Sequence, residues 1–292
     1  MSLTRPGPLV IIALAAALAL VTAARSTPEA PGASTPTASA AVGAVPTGIT
    51  TPNQIERPID EYLLDADQII ATETMRIRTA DECMVAKGYP DADVRADGDL
   101  AASISLGVRE RVVVSDLYGF FDSVDVARAT GYLAGDGLGG SYAVTWQSTI
   151  PTSVSDACFA QASTAAGAAD VLLLTTPAGL PDGGPTIPSS DPAYTDAVER
   201  WSQCMSERGY SYDDPQAAVG DTTWQQDRMT STASAAQIAT ATADVECKIS
   251  TNLIGVAVAV QDAYDQQYID AHADALSAYK SALLSAVHAA AA

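Results

Sequence analysis

Hydrophobic residues in this chain recur mostly three or four positions apart, the spacing of amphipathic helices. Tyr194, Val198, Trp201 and Met205 fall on one such face, with Asp191 placed to cap the helix and Pro192 suited to its first position. Upstream, Ile70, Ile77 and Met84 share a face, and Asp65 or Asp67 is the candidate cap. Between them the pattern is shorter and mixed. Ser123 is placed to cap a brief helix running to Ala129, residues 142–146 read as a short strand, and residues 151–169 read as a helix carrying Cys158. Residues 233–290 are strongly helical, as one long helix or two. Ile238, Val245 and Ile249 form a stripe that continues through Leu253, Val260, Tyr264, Tyr268, Leu276, Tyr279, Leu283 and Val287. Gly255 marks a kink in this reading, and Asp262, Asp265, Asp270, Asp274 and Lys280 mark the outer face. Such a tail packs on its own body or pairs with a partner helix; the first reading is preferred.

One motif occurs twice. Cys83-Met84 is followed after three residues by Gly88-Tyr89, and Cys204-Met205 by Gly209-Tyr210. Each copy ends a helical stretch and precedes acidic turns, Asp91 and Asp93 in one and Asp213 and Asp214 in the other. The motif is a helix stop. Lys87 or Arg208 suits the negative end of the helix dipole. The glycine takes the left-handed position just past the end, and the tyrosine folds back onto the last turn. A second cysteine follows each copy, Cys158 after Asp156 and Cys247 after Asp244.

The predicted fold class is therefore mainly α, a helical domain built from two duplicated disulfide-linked halves, with a long C-terminal helix and at most short strands. The first half spans residues 54–175 and the second 191–292. A Pro- and Gly-rich linker, residues 176–190, joins them.

The N-terminus changes the picture from helical protein to exported helical protein. Arg5 is the only charge in residues 1–8, and residues 9–24 are uncharged and almost wholly apolar. Small residues follow at cleavage positions, so residues 1–24 read as a signal peptide or an uncleaved N-terminal anchor. Residues 25–53 are rich in Ser, Thr, Pro and Ala with almost no large apolar side chain, which predicts a disordered stalk. In an exported chain, four cysteines at these spacings favour disulfides over metal ligation. Three connectivities are open, and the repeat favours Cys83–Cys158 with Cys204–Cys247.

Composition limits the chemistry. Asp and Glu outnumber Lys and Arg by 35 to 15, which argues against a nucleic-acid partner. It also argues against attachment to anionic membrane except through the N-terminal segment. With only two histidines, His272 and His288, and no nucleophile elbow, no catalytic triad assembles in the sequence. No cofactor motif appears, and the expectation is no cofactor. Asp91, Asp93, Asp97 and Asp99 invite a calcium reading as alternating oxygen ligands. In that register Arg95 and Ile104 occupy ligand positions, so a solvated acidic turn is the favoured interpretation.

Several segments together resemble secreted or envelope-associated actinobacterial proteins of unknown function. They are the duplicated Cys-Met and Gly-Tyr helix ends, Asp116-Leu117-Tyr118-Gly119, Thr130-Gly131-Tyr132, Trp201-Ser202-Gln203-Cys204, and Asp244-Val245-Glu246-Cys247-Lys248 leading into the long helix. The resemblance implies an envelope location and carries no catalytic residue. The functional expectation is an exported, non-enzymatic protein that binds a partner protein or cell-wall component. A carboxylate-dependent cell-wall hydrolase and an accessory subunit of an envelope transporter are the alternatives.

Overall fold

Several of the main helices begin where a side chain can satisfy their free amides. In the computed structural model, which describes residues 40–111, 115–133, 142–165 and 176–291, Asp65 rather than Asp67 caps α1 (Ala66–Ala86). The Asp65 carboxylate accepts from the Gln68 amide at 2.8 Å, and the Gln68 side chain accepts from the Asp65 amide at 3.0 Å. This reciprocal pair is a capping box. Asp99 caps α2 (Leu100–Glu110), which is followed by the single turn α3 (Ser115–Tyr118). Ser123 caps α4 (Val124–Thr130), and α5 (Thr152–Ala165) carries Cys158. Asp191 caps α6 (Pro192–Glu207), with Pro192 in the first turn. Two short helices, α7 (Pro215–Gly220) and α8 (Gln225–Thr230), lead to α9 (Ala235–Ser250) and α10 (Leu253–Ala291). The strands β1 (Arg95–Gly98) and β2 (Tyr142–Thr145) form an antiparallel ribbon, with Arg95 opposite Thr145 and Gly98 opposite Tyr142.

The duplicated motif is one geometric device used twice. After α1, the Gly88 amide donates to the Val85 carbonyl at 3.0 Å and the Tyr89 amide to the Met84 carbonyl at 3.2 Å. After α6, Gly209 donates to Ser206 and Tyr210 to Met205, both at 3.0 Å. These bonds define the Schellman stop, and both glycines have positive φ, +97° and +89°. The disulfides are Cys83–Cys158, joining α1 to α5, and Cys204–Cys247, joining α6 to α9.

The largest hydrophobic core crosses the sequence halves. It surrounds the second disulfide and holds Tyr194, Trp201, Met205 and Val245, yet it takes Leu117, Tyr118, Phe121 and Tyr132 from the first half. A smaller core surrounds the first disulfide, with Ile77, Met84, Val94 and Ile150. The far end of α10 returns to the first half, placing Leu283 with Leu64, Ile69 and Ile104. Residues 40–292 consequently form one unit. The tail helix packs on its own body, and Leu253, Val260, Tyr264, Tyr268, Leu276 and Leu283 of its stripe are all buried.

Several expectations need correction. Of the expected stalk, residues 40–53 are packed onto the body. Ala40 and Ile49 are buried, Val42 packs against the main core, and the Pro46 carbonyl accepts from the Asn252 side chain at 3.0 Å. Isolated apolar residues suffice because each meets a formed surface, and proline lowers the entropy lost on ordering. The expected linker also packs: Leu180 is buried and the Pro181 carbonyl accepts from the Tyr268 hydroxyl at 2.5 Å. The tail breaks at Asn252, which has φ +56°, and departs from helical geometry again at His272. Gly255 lies within α10, where its missing side chain admits the Pro46 carbonyl. Asp265, expected on the outer face, is fully buried. The leader, residues 1–39 of the N-terminal expectation, and residues 166–169 of the expected fifth helix lie outside the described residues.

Candidate functional site

The tail helix begins apolar on every side, from Leu253 through Val260, and this puts its first turns at the centre of the protein. One turn later it carries Asp262 and Asp265. Asp265 is accommodated by Arg57, which precedes a 3-10 turn, Pro58–Tyr62. The Arg57 guanidinium grips both oxygens of Asp265, Nε to Oδ2 at 2.9 Å and Nη2 to Oδ1 at 2.6 Å. Its Nη1 donates to the Arg111 carbonyl at 3.2 Å. Arg111, at the end of α2, donates in turn to the Asp60 carboxylate at 3.0 Å and the Leu64 carbonyl at 2.6 Å. The result is an alternating chain, Asp265–Arg57–Asp60–Arg111, linked through the backbone at two points.

Burial pushes the Asp265 carboxyl up, and the Arg57 bonds and charge oppose that push. Asp262 has no such clamp. Burial first, then the Asp265 charge, push its carboxyl up to about 6, while Arg57 pulls the other way. The neighbouring Tyr118 hydroxyl is held protonated, first by burial.

Beside this network lies a half-open pocket of about 280 Å³, lined by Asp60, Tyr62, Leu64, Arg111, Lys280 and Leu283 among others. Its rim carries the Lys280 ammonium, 5.9 Å from the centre of the Tyr62 ring and 3.8 Å from the Glu61 carboxylate. Asp60 and Arg111 belong to both pocket and network, so the pocket wall is braced from behind. A cavity with aliphatic and aromatic walls and a few fixed charges is suited to holding a ligand that is part apolar and part ionic.

No protein-family model, no curated protein and no solved structure matches this chain.

A second buried ion pair, Asp244 and Lys248, lies on α9 next to Cys247 of the second disulfide. Lys248 donates to Asp244 at 2.8 Å and to the Phe120 carbonyl at 2.5 Å, and Trp201 Nε1 donates to Asp244 at 3.0 Å. Burial pushes Asp244 up and Lys248 down, against the attraction that pulls each back. All the polar groups of this pair are turned inward, and its effect is to lock α4's approach loop, α6 and α9 in one arrangement.

Of the residues singled out from sequence, the four cysteines meet in the expected pairs. The acidic loop does not converge. Asp93 pairs with Arg95, Asp99 accepts from the Ala102 amide at 2.9 Å as a helix cap, and Asp91 and Asp97 are exposed. Among the described residues no three acidic, histidine or cysteine side chains gather as a metal site. Asp93 and Asp99 are engaged locally, in an ion pair and a helix cap, the ordinary work of Asp in such segments, and Asp97 sits in β1. The network at Arg57 and Asp265 was missed. Its signal was available: an uninterrupted apolar run, Leu253 to Val260, leading straight into two acids one turn apart.

Proposed function

We propose that this chain is an exported, non-enzymatic protein of the cell envelope that binds a partner protein or cell-wall component at the pocket between the Pro58–Tyr62 turn and the far end of α10. The apolar leader at residues 9–24 supports export, and two disulfides suit an oxidising compartment. The braced pocket is the observation that carries the binding reading. Its charges are held by Arg57, Asp60 and Arg111 before any ligand arrives, and preorganisation of this kind lowers the cost of association. The hydrolase alternative needs two accessible carboxylates facing one cleft. Of the acids that line the pocket, Asp60 accepts from Arg111 at 3.0 Å, Asp65 caps α1 through the Gln68 amide at 2.8 Å and Glu61 pairs with Lys280 at 3.8 Å, and these engagements favour binding over catalysis.

The test is co-sedimentation of the purified protein with cell walls and membranes isolated from the producing organism. The protein is expected in the pellet at low salt. Lys280→Glu, at a half-exposed position of the pocket lining, is expected to weaken binding by about tenfold, the effect of losing one useful interface contact of ~1.4 kcal/mol. Thermal stability should be unchanged. A protein that stays in the supernatant, or binding indifferent to Lys280, would overturn the proposal.

A further inference from the structure

The Arg57–Asp265 clamp fastens the N-terminal segment to the tail helix across 208 positions of sequence, and it is unequally balanced. Asp262 lies one helical turn before Asp265, and the charged groups facing it are Asp265 on its own helix and Arg57 on the Pro58–Tyr62 side. The Tyr118 hydroxyl approaches from α3. One Asp262 oxygen, Oδ1, is buried and has no hydrogen-bond partner among the described residues; the same holds for the Tyr118 hydroxyl, which is wholly buried. One guanidinium therefore faces two carboxylates, and its donors go to Asp265 and the Arg111 carbonyl, none to Asp262. An ionised Asp262 places a poorly solvated negative charge against Asp265. A protonated Asp262 removes that repulsion and leaves a neutral Arg57–Asp265 pair.

We propose that Asp262 is a proton-operated latch: it takes up a proton at mildly acidic pH and thereby tightens the hold of Arg57 on Asp265, fixing the N-terminal segment to the tail helix. The sign follows from linkage. The folded protein holds this proton more tightly than the unfolded chain does. Stability from this group is full below the ordinary carboxylate range and is lost as pH rises through about 6. A protein on the outside of a cell meets such pH changes directly, and the latch would stiffen the wall of the neighbouring pocket under acid conditions. It does not depend on what the pocket binds.

The test compares full-length protein and Asp262→Asn by thermal melting at pH 5 and pH 7.5, with carbon NMR of the Asp262 carboxyl through the same range. From this group the wild type is expected to melt about 2 °C higher at pH 5 than it does at pH 7.5, after allowance for partial solvent screening. Asp262→Asn should lose that component of the pH slope and melt about 3–6 °C above the wild type at pH 7.5. Carbon NMR should give a midpoint near 6 for Asp262. An unchanged slope in the variant, or an NMR midpoint in the ordinary carboxylate range, would overturn the latch. If the variant fails to fold, the wild-type NMR titration decides alone.

Discussion

Replacing Lys248 by Met should be among the most damaging single changes in this protein, because it strands a charge. Lys248 and Asp244 both have fully buried side chains. The ammonium makes two bonds, to Asp244 at 2.8 Å and to the Phe120 carbonyl at 2.5 Å. Lys248→Met fills much of the same volume, so little of the effect comes from a cavity. What remains is an uncompensated carboxylate beside Trp201, and breaking a buried pair from one side costs about 3–5 kcal/mol. At ~2–4 °C per kcal/mol for a domain of this size, the melting temperature should fall by about 6–20 °C. The double variant Asp244→Asn, Lys248→Met should recover most of that. Asn still accepts from Trp201 Nε1, and the principal deficit is the Phe120 carbonyl, worth about 1–3 kcal/mol. Urea unfolding at pH 7 with the disulfides intact measures all three proteins. The single variant should also regain stability on acidification, because the lone buried carboxyl takes up a proton that the unfolded chain releases. The electrostatic reasoning fails if Lys248→Met lies within ~1 kcal/mol of wild type, or if the double variant is no more stable than the single one.

The two disulfides should appear in intact-mass spectrometry as a gain of four hydrogens on reduction, and each should contribute about 4 kcal/mol by the chain-entropy relation for loops of this length; a thiol titrating in unreduced protein would contradict the pairing. Gly88→Ala and Gly209→Ala should cost similar amounts, about 1–2 kcal/mol each, because an added methyl meets nothing within 4 Å at either site and only the left-handed backbone is penalised. Unequal melting losses would show that the two motif copies differ in more than sequence. Gly255→Ala should act differently, since its methyl would collide with the Pro46 carbonyl and with the Asn252 side chain at 2.7 Å. The expected result is faster proteolysis around residues 40–50 together with a loss of about 1–3 kcal/mol; unchanged cleavage would mean that the N-terminal segment is not held there.

Local chemistry made much of this architecture readable in advance. Asp191 and Pro192 announce a helix start, Cys-Met-x-x-x-Gly-Tyr announces a helix stop, and the spacing of Tyr194, Trp201 and Met205 announces the buried face between them. These signals act within four or five residues, where backbone sterics and hydrogen-bond geometry decide the outcome. The cysteine pairing was legible for a related reason: two copies of one unit imply the same bridge in each. The acidic stretch Asp91 to Asp99 reads only as a turn; its residues Arg95–Gly98 form a strand because Tyr142–Thr145, distant in sequence, pairs with them.

Partners distant in sequence were a different matter. Arg57 and Asp265 are separated by 208 positions, and Lys248 and Phe120 by 128. The apolar run Leu253 to Val260 marks Asp265 off from Asp270 and Asp274, which remain exposed on the same helix, but nothing near it names Arg57 as its partner. Residues 40–53 looked like stalk because their composition is that of a stalk, and Gly255 looked like a kink because glycine weakens a helix. Both acquired their roles only when the Pro46 carbonyl came to rest where Gly255 has no side chain. Sequence alone determined where the helices that end in the two Cys-Met motifs stop and which cysteines belong together, through short-range sterics and repetition. Tertiary structure decided which charges are buried, which loop is a clamp and where the pocket lies, because those depend on desolvation and close packing between segments whose meeting no local pattern specifies.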